Sequence, residues 1–193
     1  DLSCFSFFPS KNMAVGGEGG MLATTNEAYT AKLTAIINHG RSPELHAMEL
    51  GSNLRMSEVA AAIGLEQLNL LDTWVERRRQ IASWYSNALL NHPYLKAPKT
   101  RSGAEHAWHQ YCVYTEHAAA FMAHLDTLQI DTRQYYSLPI HQQSVFSAHP
   151  QHTHHLPVTA KLGSCLVAIT IIHELSDDEI HRVLAALKSF NPE

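Results

Sequence analysis

Three features are scarce in this 193-residue sequence, and each absence excludes a class of protein. Only three cysteines occur, Cys4, Cys112 and Cys165, and their wide spacing excludes a disulfide scaffold or a paired zinc-ligand motif. No apolar run reaches the roughly 20 residues of a membrane-spanning helix. Because 14 Lys and Arg oppose 18 Asp and Glu, the sequence also lacks the basic excess typical of nucleic-acid binding.

What remains is the composition of a globular protein, with 45% hydrophobic and 17% charged residues. We interpret the cysteines as buried thiols in a reducing cytoplasm, where we expect the protein to reside. The chain starts at Asp1, without an initiator Met or signal peptide, and enters an apolar stretch at once. We therefore expect it to begin partway through a fold.

The first part of the chain has a strand–loop–strand pattern. The aromatic stretch at residues 2–8 predicts a short buried strand, and residues 21–24 predict the strand that returns after a glycine-rich loop. Asn26 is the predicted N-cap of a following helix. Apolar residues at helical spacing over residues 57–90 predict one long helix, or two helices in tandem, bridging two lobes, with the arginines at 77–79 on the solvated face.

The remainder predicts a second α/β lobe with a small sheet. Alternating residues at 109–115 and 130–135 indicate strands on either side of a helix at 116–128, and residues 166–172 indicate a buried strand. Ser176 and Glu179 form a capping box ahead of the last helix. Four histidines within residues 149–155 lack a Cys or carboxylate nearby, so we expect a solvated loop and no metal site.

Lys11 is the residue most suggestive of chemistry. It follows an apolar strand and precedes the glycine-rich run at residues 16–20, so its amine can lie near apolar walls. A deprotonated lysine is what a Schiff base with an aldehyde requires. From spacing alone, however, an exposed loop lysine is the favoured interpretation. The glycine run is not a phosphate loop, because it lacks the GK[ST] ending.

Several motifs, in one order along nearly the whole chain, resemble the DegT/StrS-type nucleotide-sugar aminotransferases, which are pyridoxal-phosphate (PLP) enzymes of fold type I. The matching segments are residues 4–12, 16–20, 38–41, 50–56, 60–68, 77–85, 106–111, 136–141 and 175–180. The resemblance implies the α/β C-terminal half of such a fold. Residues 1–72 would be the end of the large PLP-binding domain, and residues 73–193 a linking helix followed by a small α/β domain.

The resemblance also implies the site residues. Lys11 would form the internal aldimine with pyridoxal 5'-phosphate, and Ser6 would hydrogen-bond the cofactor phosphate. Asn53 would reach the same phosphate from the neighbouring subunit, so the enzyme would be a homodimer with shared active sites. Tyr136 and His141 match a segment that lines the sugar or diphosphate end of the pocket, although structural roles fit both residues equally well.

The implied reaction transfers an amino group, from glutamate as the usual amino-acid donor of the family, to a nucleotide-linked keto sugar. Such products serve polysaccharide or antibiotic-sugar biosynthesis. Two alternatives stay open, namely a cyclitol or aminoshikimate-type ketone as substrate and a non-catalytic regulatory relative. The aspartate that pairs with the pyridine nitrogen and the aromatic residue that stacks on the ring precede the matching segments in the family.

Overall fold

The computed structural model describes residues 1–149 and 155–193. The strands are β1 (Ser3–Ser6), β2 (Gly20–Ala23), β3 (Tyr111–Tyr114), β4 (Thr132–Arg133) and β5 (Leu166–Ile169). The helices are α1 (Glu27–Ile37), α2 (Glu58–Ala88), α3 (Ala118–Thr127), α4 (Pro157–Cys165) and α5 (Asp177–Ser189). Most of the predicted histidine-rich loop at 149–155 lies outside the described residues.

The chain divides into two compact units, Asp1–Thr73 and Trp74–Glu193, called here the N-terminal and C-terminal units. Helix α2 contributes residues to both of them. The long helix that the apolar spacing predicts is therefore a single element of 31 residues. Among the described residues, no helix combines the length and apolar character that crossing a lipid bilayer requires.

In the N-terminal unit, β1 and β2 pair antiparallel, with Ser3 opposite Ala23 and Ser6 opposite Gly20. The Asn26 side chain accepts a hydrogen bond from the backbone N–H of Ala28 at 3.0 Å and caps α1 as predicted. The predicted strand–turn–strand unit is thus confirmed.

The prediction that the first strand is buried is wrong for this chain. Every residue of β1 and β2 is exposed, and α1 contains no buried residue. The physical reason is that no described part of the N-terminal unit covers either face of this two-stranded sheet. Cys4, which lies in β1, is consequently an exposed thiol and not a buried one.

The C-terminal unit is built around a three-stranded antiparallel sheet in the order β3-β5-β4. Strand β5 is central, since Ile169 lies opposite Tyr111 of β3 and opposite Thr132 of β4. Three of the four residues of β5 are buried, as the continuous apolar stretch predicts. This sheet and its helices form the small α/β lobe that the sequence predicts.

The main core lies in the C-terminal unit and combines α2, the sheet, α3 and α5. Its largest fully buried side chains are Ile81, Tyr85, Leu95, Tyr111, Val113, Phe121, Leu125, Val167, Ile180 and Leu187. Tyr85 packs edge-on against Tyr111 with ring centroids 5.4 Å apart. Its hydroxyl donates to the carbonyl of Thr170 at 3.2 Å, and burial raises the pKa of Tyr85 well above its usual range.

The three consecutive arginines of α2 do not share a solvated face, which corrects the sequence interpretation. Arg78 is only 4% exposed and donates from Nη1 to the carbonyls of Trp108 and Ile171. Arg77 and Arg79 reach carboxylates instead, at 2.7 Å each. Successive helix residues are about 100° apart, so three in a row cannot all face water on a helix that packs against a core.

Sequence reasoning identified the start of α5 correctly and missed α4. The Ser176 hydroxyl accepts from the Glu179 N–H at 3.3 Å, and a Glu179 carboxylate oxygen accepts from the Ser176 N–H at 2.8 Å.

Besides α4, the sequence does not predict two short 3-10 turns, Ile140–Gln142 and Ser144–Phe146. Helix α4 has a single buried residue, Cys165, so it has no apolar stripe to reveal it.

Two leucines near the end of α3 test the position of the core. We expect Leu125→Ala, which truncates a side chain that is 0% exposed, to lower the free energy of unfolding by about 2–5 kcal/mol. The matched change Leu128→Ala removes a side chain that is 41% exposed and should cost less than about 1 kcal/mol. Urea denaturation followed by tryptophan fluorescence measures both values, and equal losses would contradict the assignment.

Candidate cofactor and substrate site

Lys11 lies in a turn directly after β1. The Phe7 N–H donates to the Gly19 carbonyl at 2.9 Å, which continues the β1–β2 pairing by one more residue. The Lys11 N–H then donates to the Phe8 carbonyl at 2.8 Å and closes a tight turn around Pro9. The lysine is half-buried. Its backbone is therefore fixed relative to the strand pair.

At Gly19 and Gly20 the glycine-rich turn has no room for a side chain. An ideal Cβ at Gly19 would lie 2.6 Å from a methyl carbon of Val15, and one at Gly20 would lie 3.0 Å from the Phe5 carbonyl oxygen. Gly16 adopts φ +76°, a left-handed conformation that favours glycine. These glycines let the turn fold back closely onto the segment that carries Lys11.

Helix α2 anchors the same segment from the other side. The Ala14 N–H donates to the Gln67 side-chain oxygen at 2.8 Å. An ideal Cβ at Gly64 would lie 3.1 Å from Val15 and 3.4 Å from Met13, so the segment packs directly on the helix backbone. Val15 is 3% exposed, in a unit with few other buried side chains. The residues after Lys11 are thus clamped between the glycine-rich turn and α2.

Ser6 is the last residue of β1, five positions before Lys11. Its hydroxyl oxygen accepts a hydrogen bond from the Phe8 N–H at 3.4 Å, and Phe8 in turn accepts from the Lys11 N–H. The structure therefore places Ser6 and Lys11 on one turn. The Ser6 side chain is exposed, and its O–H proton is available to donate to an anion.

Asn53 lies on a different segment, beyond α1, where it forms an isolated antiparallel bridge with Asn38. Arg55 spans both amides, because its Nε donates to the Asn53 oxygen at 3.1 Å and its Nη1 to the Asn38 oxygen at 3.0 Å. With the oxygens engaged in this way, both amide nitrogens are oriented to donate elsewhere. Asn53, Asn38 and Arg55 thus offer an anion two amides and a positive charge.

Sequence reasoning did not foresee this contact between Arg55 and Asn53. The only available signal was the spacing of two, which places both side chains on one face of an extended segment. The bridge partner Asn38 is distant in sequence and could not be inferred from spacing.

Apolar side chains surround the segment that carries Asn53. Leu45 and Met48 are each 69% exposed, Leu50 is 97% exposed and Leu54 is 64% exposed. An exposed group of large apolar side chains is typical of a protein–protein contact surface.

Tyr136 and His141 lie in the C-terminal unit, on the loop that follows β4. The Tyr136 ring is 66% exposed and packs edge-on against Tyr135. His141 lies in the first 3-10 turn. Its Nε2 atom is buried and has no hydrogen-bond partner among the described residues, so a polar group from a ligand or another chain would satisfy it.

The available groups fit pyridoxal phosphate. An amine held on a fixed turn can bond an aldehyde, and a hydroxyl, an amide and a guanidinium are donors that suit a phosphate dianion. Within residues 1–149 and 155–193, no group of three or more His, Cys, Asp or Glu side chains is arranged to hold a metal ion.

Comparison with known proteins gives the family. The family model described as DegT/DnrJ/EryC1/StrS aminotransferase matches residues 1–188, almost the entire chain. The chain belongs to this aminotransferase family. The resemblance that the sequence motifs carry is thereby confirmed, and so is the α/β fold class of a C-terminal half.

Individual relatives agree with the family assignment. An Acidithiobacillus ferrooxidans protein, UDP-N-acetyl-3-dehydro-alpha-D-glucosamine 3-aminotransferase, is 33% identical over 188 residues, covering 97% of this chain and 50% of the relative. S. venezuelae DesV, solved in complex with a ketimine intermediate, is 28% identical with a TM-score of 0.92. The match covers 97% of this chain and 50% of the DesV chain. The Bacillus subtilis ntda structure with bound cofactor PMP is 25% identical with a TM-score of 0.87. The match covers 97% of this chain and 45% of the ntda chain. The chain spans about half the length of these relatives.

The bond between Gln67 and Ala14 can be tested by hydrogen exchange. In Gln67→Ala the Ala14 N–H loses its acceptor, so we expect its exchange to accelerate about 2–10-fold, as the loss of roughly 0.5–1.5 kcal/mol implies. Asn69→Ala changes an exposed residue of the same helix and should leave the exchange rate unaltered. Unchanged exchange in Gln67→Ala would contradict the clamp.

Proposed function

We propose that the whole protein is a PLP-dependent aminotransferase that moves an amino group from an amino-acid donor, glutamate, to a nucleotide-linked keto sugar. Family membership supports aminotransferase chemistry, and the matched relatives include enzymes named as sugar aminotransferases. The observation that carries the proposal is the position of Lys11, on a turn fixed by the β1–β2 pair and by α2.

Lys11 has two tasks in this proposal. Its amine bonds covalently to the cofactor aldehyde and so anchors the cofactor to the turn after β1. When bound, PLP supplies an electron-withdrawing ring that stabilises negative charge on the substrate carbon. When freed by the amino donor, the same amine would act as general base and acid: it would take the proton from the donor's α-carbon and deliver it to the cofactor, and would reverse this transfer onto the sugar carbon that receives nitrogen.

Ser6, Asn53 and Arg55 hold the phosphate end. The Ser6 hydroxyl and the Asn53 amide nitrogen donate to phosphate oxygens, while Arg55 fixes the Asn53 amide through its 3.1 Å bond. The Arg55 guanidinium also offsets part of the phosphate charge. A donor set of this kind explains why the chain needs no excess of basic residues to bind a dianion.

The proposed enzyme is a homodimer in which Asn53 of one subunit completes the site around Lys11 of the other. The exposed Leu45, Met48, Leu50 and Leu54 beside Asn53 support this proposal, because contact with a second subunit would remove them from water. We also propose a cytoplasmic location, since the three cysteines are free thiols, as is typical of a reducing compartment.

Tyr136 and His141 are the proposed contacts to the sugar or diphosphate part of the substrate. The exposed Tyr136 ring offers a flat apolar face and a hydroxyl, and the buried His141 Nε2 lacks a partner among the described residues. A cyclitol ketone could use the same contacts, so a panel of keto sugars and cyclitol ketones with glutamate as donor distinguishes the two substrate classes.

A mixing experiment tests the shared site. Lys11→Ala should abolish amino transfer, whereas Asn53→Ala should weaken cofactor binding by about 1.5–3 kcal/mol, the usual value of a hydrogen bond to a charged group. In heterodimers of the two variants, one of the two sites keeps both residues. At a PLP concentration that saturates wild type but not Asn53→Ala, a random mixture should therefore recover about one quarter of wild-type activity.

The measurement is the rate of amino transfer after co-expression of differently tagged variants. Lys32→Ala, which changes an exposed lysine of the same unit, is the control and should retain full activity. No recovery in the mixture would contradict the shared site. Full activity of Lys11→Ala would contradict the role proposed for Lys11, whereas absence of amino transfer in wild-type protein would contradict the aminotransferase proposal and favour a regulatory protein.

A further inference from the structure

The loop that carries Tyr136 and His141 rests on the last turn of α4. An ideal Cβ at Gly163 would lie 3.0 Å from the Tyr136 carbonyl oxygen and 3.1 Å from that of Ser137. Carbon atoms rarely approach backbone oxygens so closely, so only the hydrogen of glycine leaves this space open. Gly163 lies inside α4 with ordinary helical geometry. Glycine is therefore needed at position 163 because a side chain has no space there, and not because of the backbone conformation.

The next residue of α4 provides a second attachment. The Gln134 side-chain N–H donates to the Ser164 carbonyl at 3.3 Å, directly before Tyr135 and Tyr136. Gly163 and Ser164 thus hold the start of the loop together, one by direct contact and one by a hydrogen bond.

Helix α4, which supports the loop, is itself anchored in the core of the C-terminal unit. Helix α4 ends at the buried Cys165 and continues without a break into β5, the central strand of the sheet. The loop starts from β4, which also pairs with β5. Both sides of the contact are therefore attached to the same strand, which leaves the end of α4 little freedom to move away.

A displacement at Tyr136 would also reach His141. Between them, Pro139 is buried, and the Gln143 side-chain N–H donates to the Leu138 carbonyl at 3.0 Å. The 3-10 turn that holds His141 follows immediately. The segment is thus internally braced, so that it responds to a shift as a unit.

We propose that Gly163 is a positioning residue for the keto-sugar substrate. Because Gly163 has no side chain, the Tyr136–Ser137 backbone can lie close to α4. This distance sets the positions from which Tyr136 and His141 contact the nucleotide-linked sugar. This inference rests on the proposed function. Gly163 itself touches no reacting atom.

The test measures the two half-reactions of the whole protein separately. In Gly163→Ala the loop must move by a few tenths of an ångström, and we expect the KM for the keto sugar to rise about 3–10-fold. In Gly163→Val the added branches force a larger shift and a larger rise. The rate and KM of the glutamate half-reaction should stay within about twofold of wild type, because the substitutions leave the proposed cofactor residues Lys11, Ser6 and Asn53 unchanged.

Ser164→Ala is the matched control. It removes a hydroxyl that bonds within its own helix, to the Lys161 carbonyl at 2.9 Å, and keeps the backbone carbonyl that Gln134 uses. Its KM for the sugar should equal that of wild type. An unchanged sugar KM in both Gly163 variants would overturn the proposal, as would equal losses in the two half-reactions.

Gln134→Leu keeps the test decisive if the Gly163 variants do not fold. It severs the second attachment without adding volume at α4, and we expect a rise of about twofold or more in the sugar KM alone. No rise would overturn the proposal. Failure of the proposed function can be distinguished from failure of the Gly163 proposal, since wild-type protein would then show neither half-reaction.

Discussion

The packing of Val15 against the backbone of two glycines determines where Lys11 is held. Gly19 approaches it from the glycine-rich turn and Gly64 from helix α2, and neither position has space for a Cβ without displacing the valine. The bond between Gln67 and Ala14 fixes the register of this contact along the helix. In the proposed function the Lys11 amine meets an aldehyde at one point, and such a support matters there because a misplacement of about 1 Å can cost roughly 100-fold in rate.

The two units differ in how they bury apolar surface. The C-terminal unit has a continuous core of aromatic and aliphatic side chains around β5, with Arg78 bonded to backbone carbonyls at its margin. The N-terminal unit carries Ser6 at the end of a two-stranded sheet whose residues are all exposed, Lys11 in the turn that follows β1, and Asn53 beyond α1. Its apolar side chains near Asn53 are suited to contact with another protein surface, in keeping with a site completed by a second subunit.

The sequence predicts those features that depend on local chemistry. Asn26 and Ser176 were recognised as helix caps because a short polar side chain before an apolar repeat has one main use. Helix α4 was missed because its only buried residue is Cys165. The burial of Arg78, the exposure of Cys4 and the contact between Arg55 and Asn38 all depend on residues distant in sequence, which periodicity does not reveal.

The most direct test of this account is to locate the bond between the cofactor and the protein. The protein, as its gene encodes it, is incubated with pyridoxal phosphate, reduced with borohydride, digested and mapped by mass spectrometry. The account predicts a single phosphopyridoxyl label on Lys11, absent from Lys11→Ala and retained in Lys32→Ala. A label on another lysine, or no label, would contradict it.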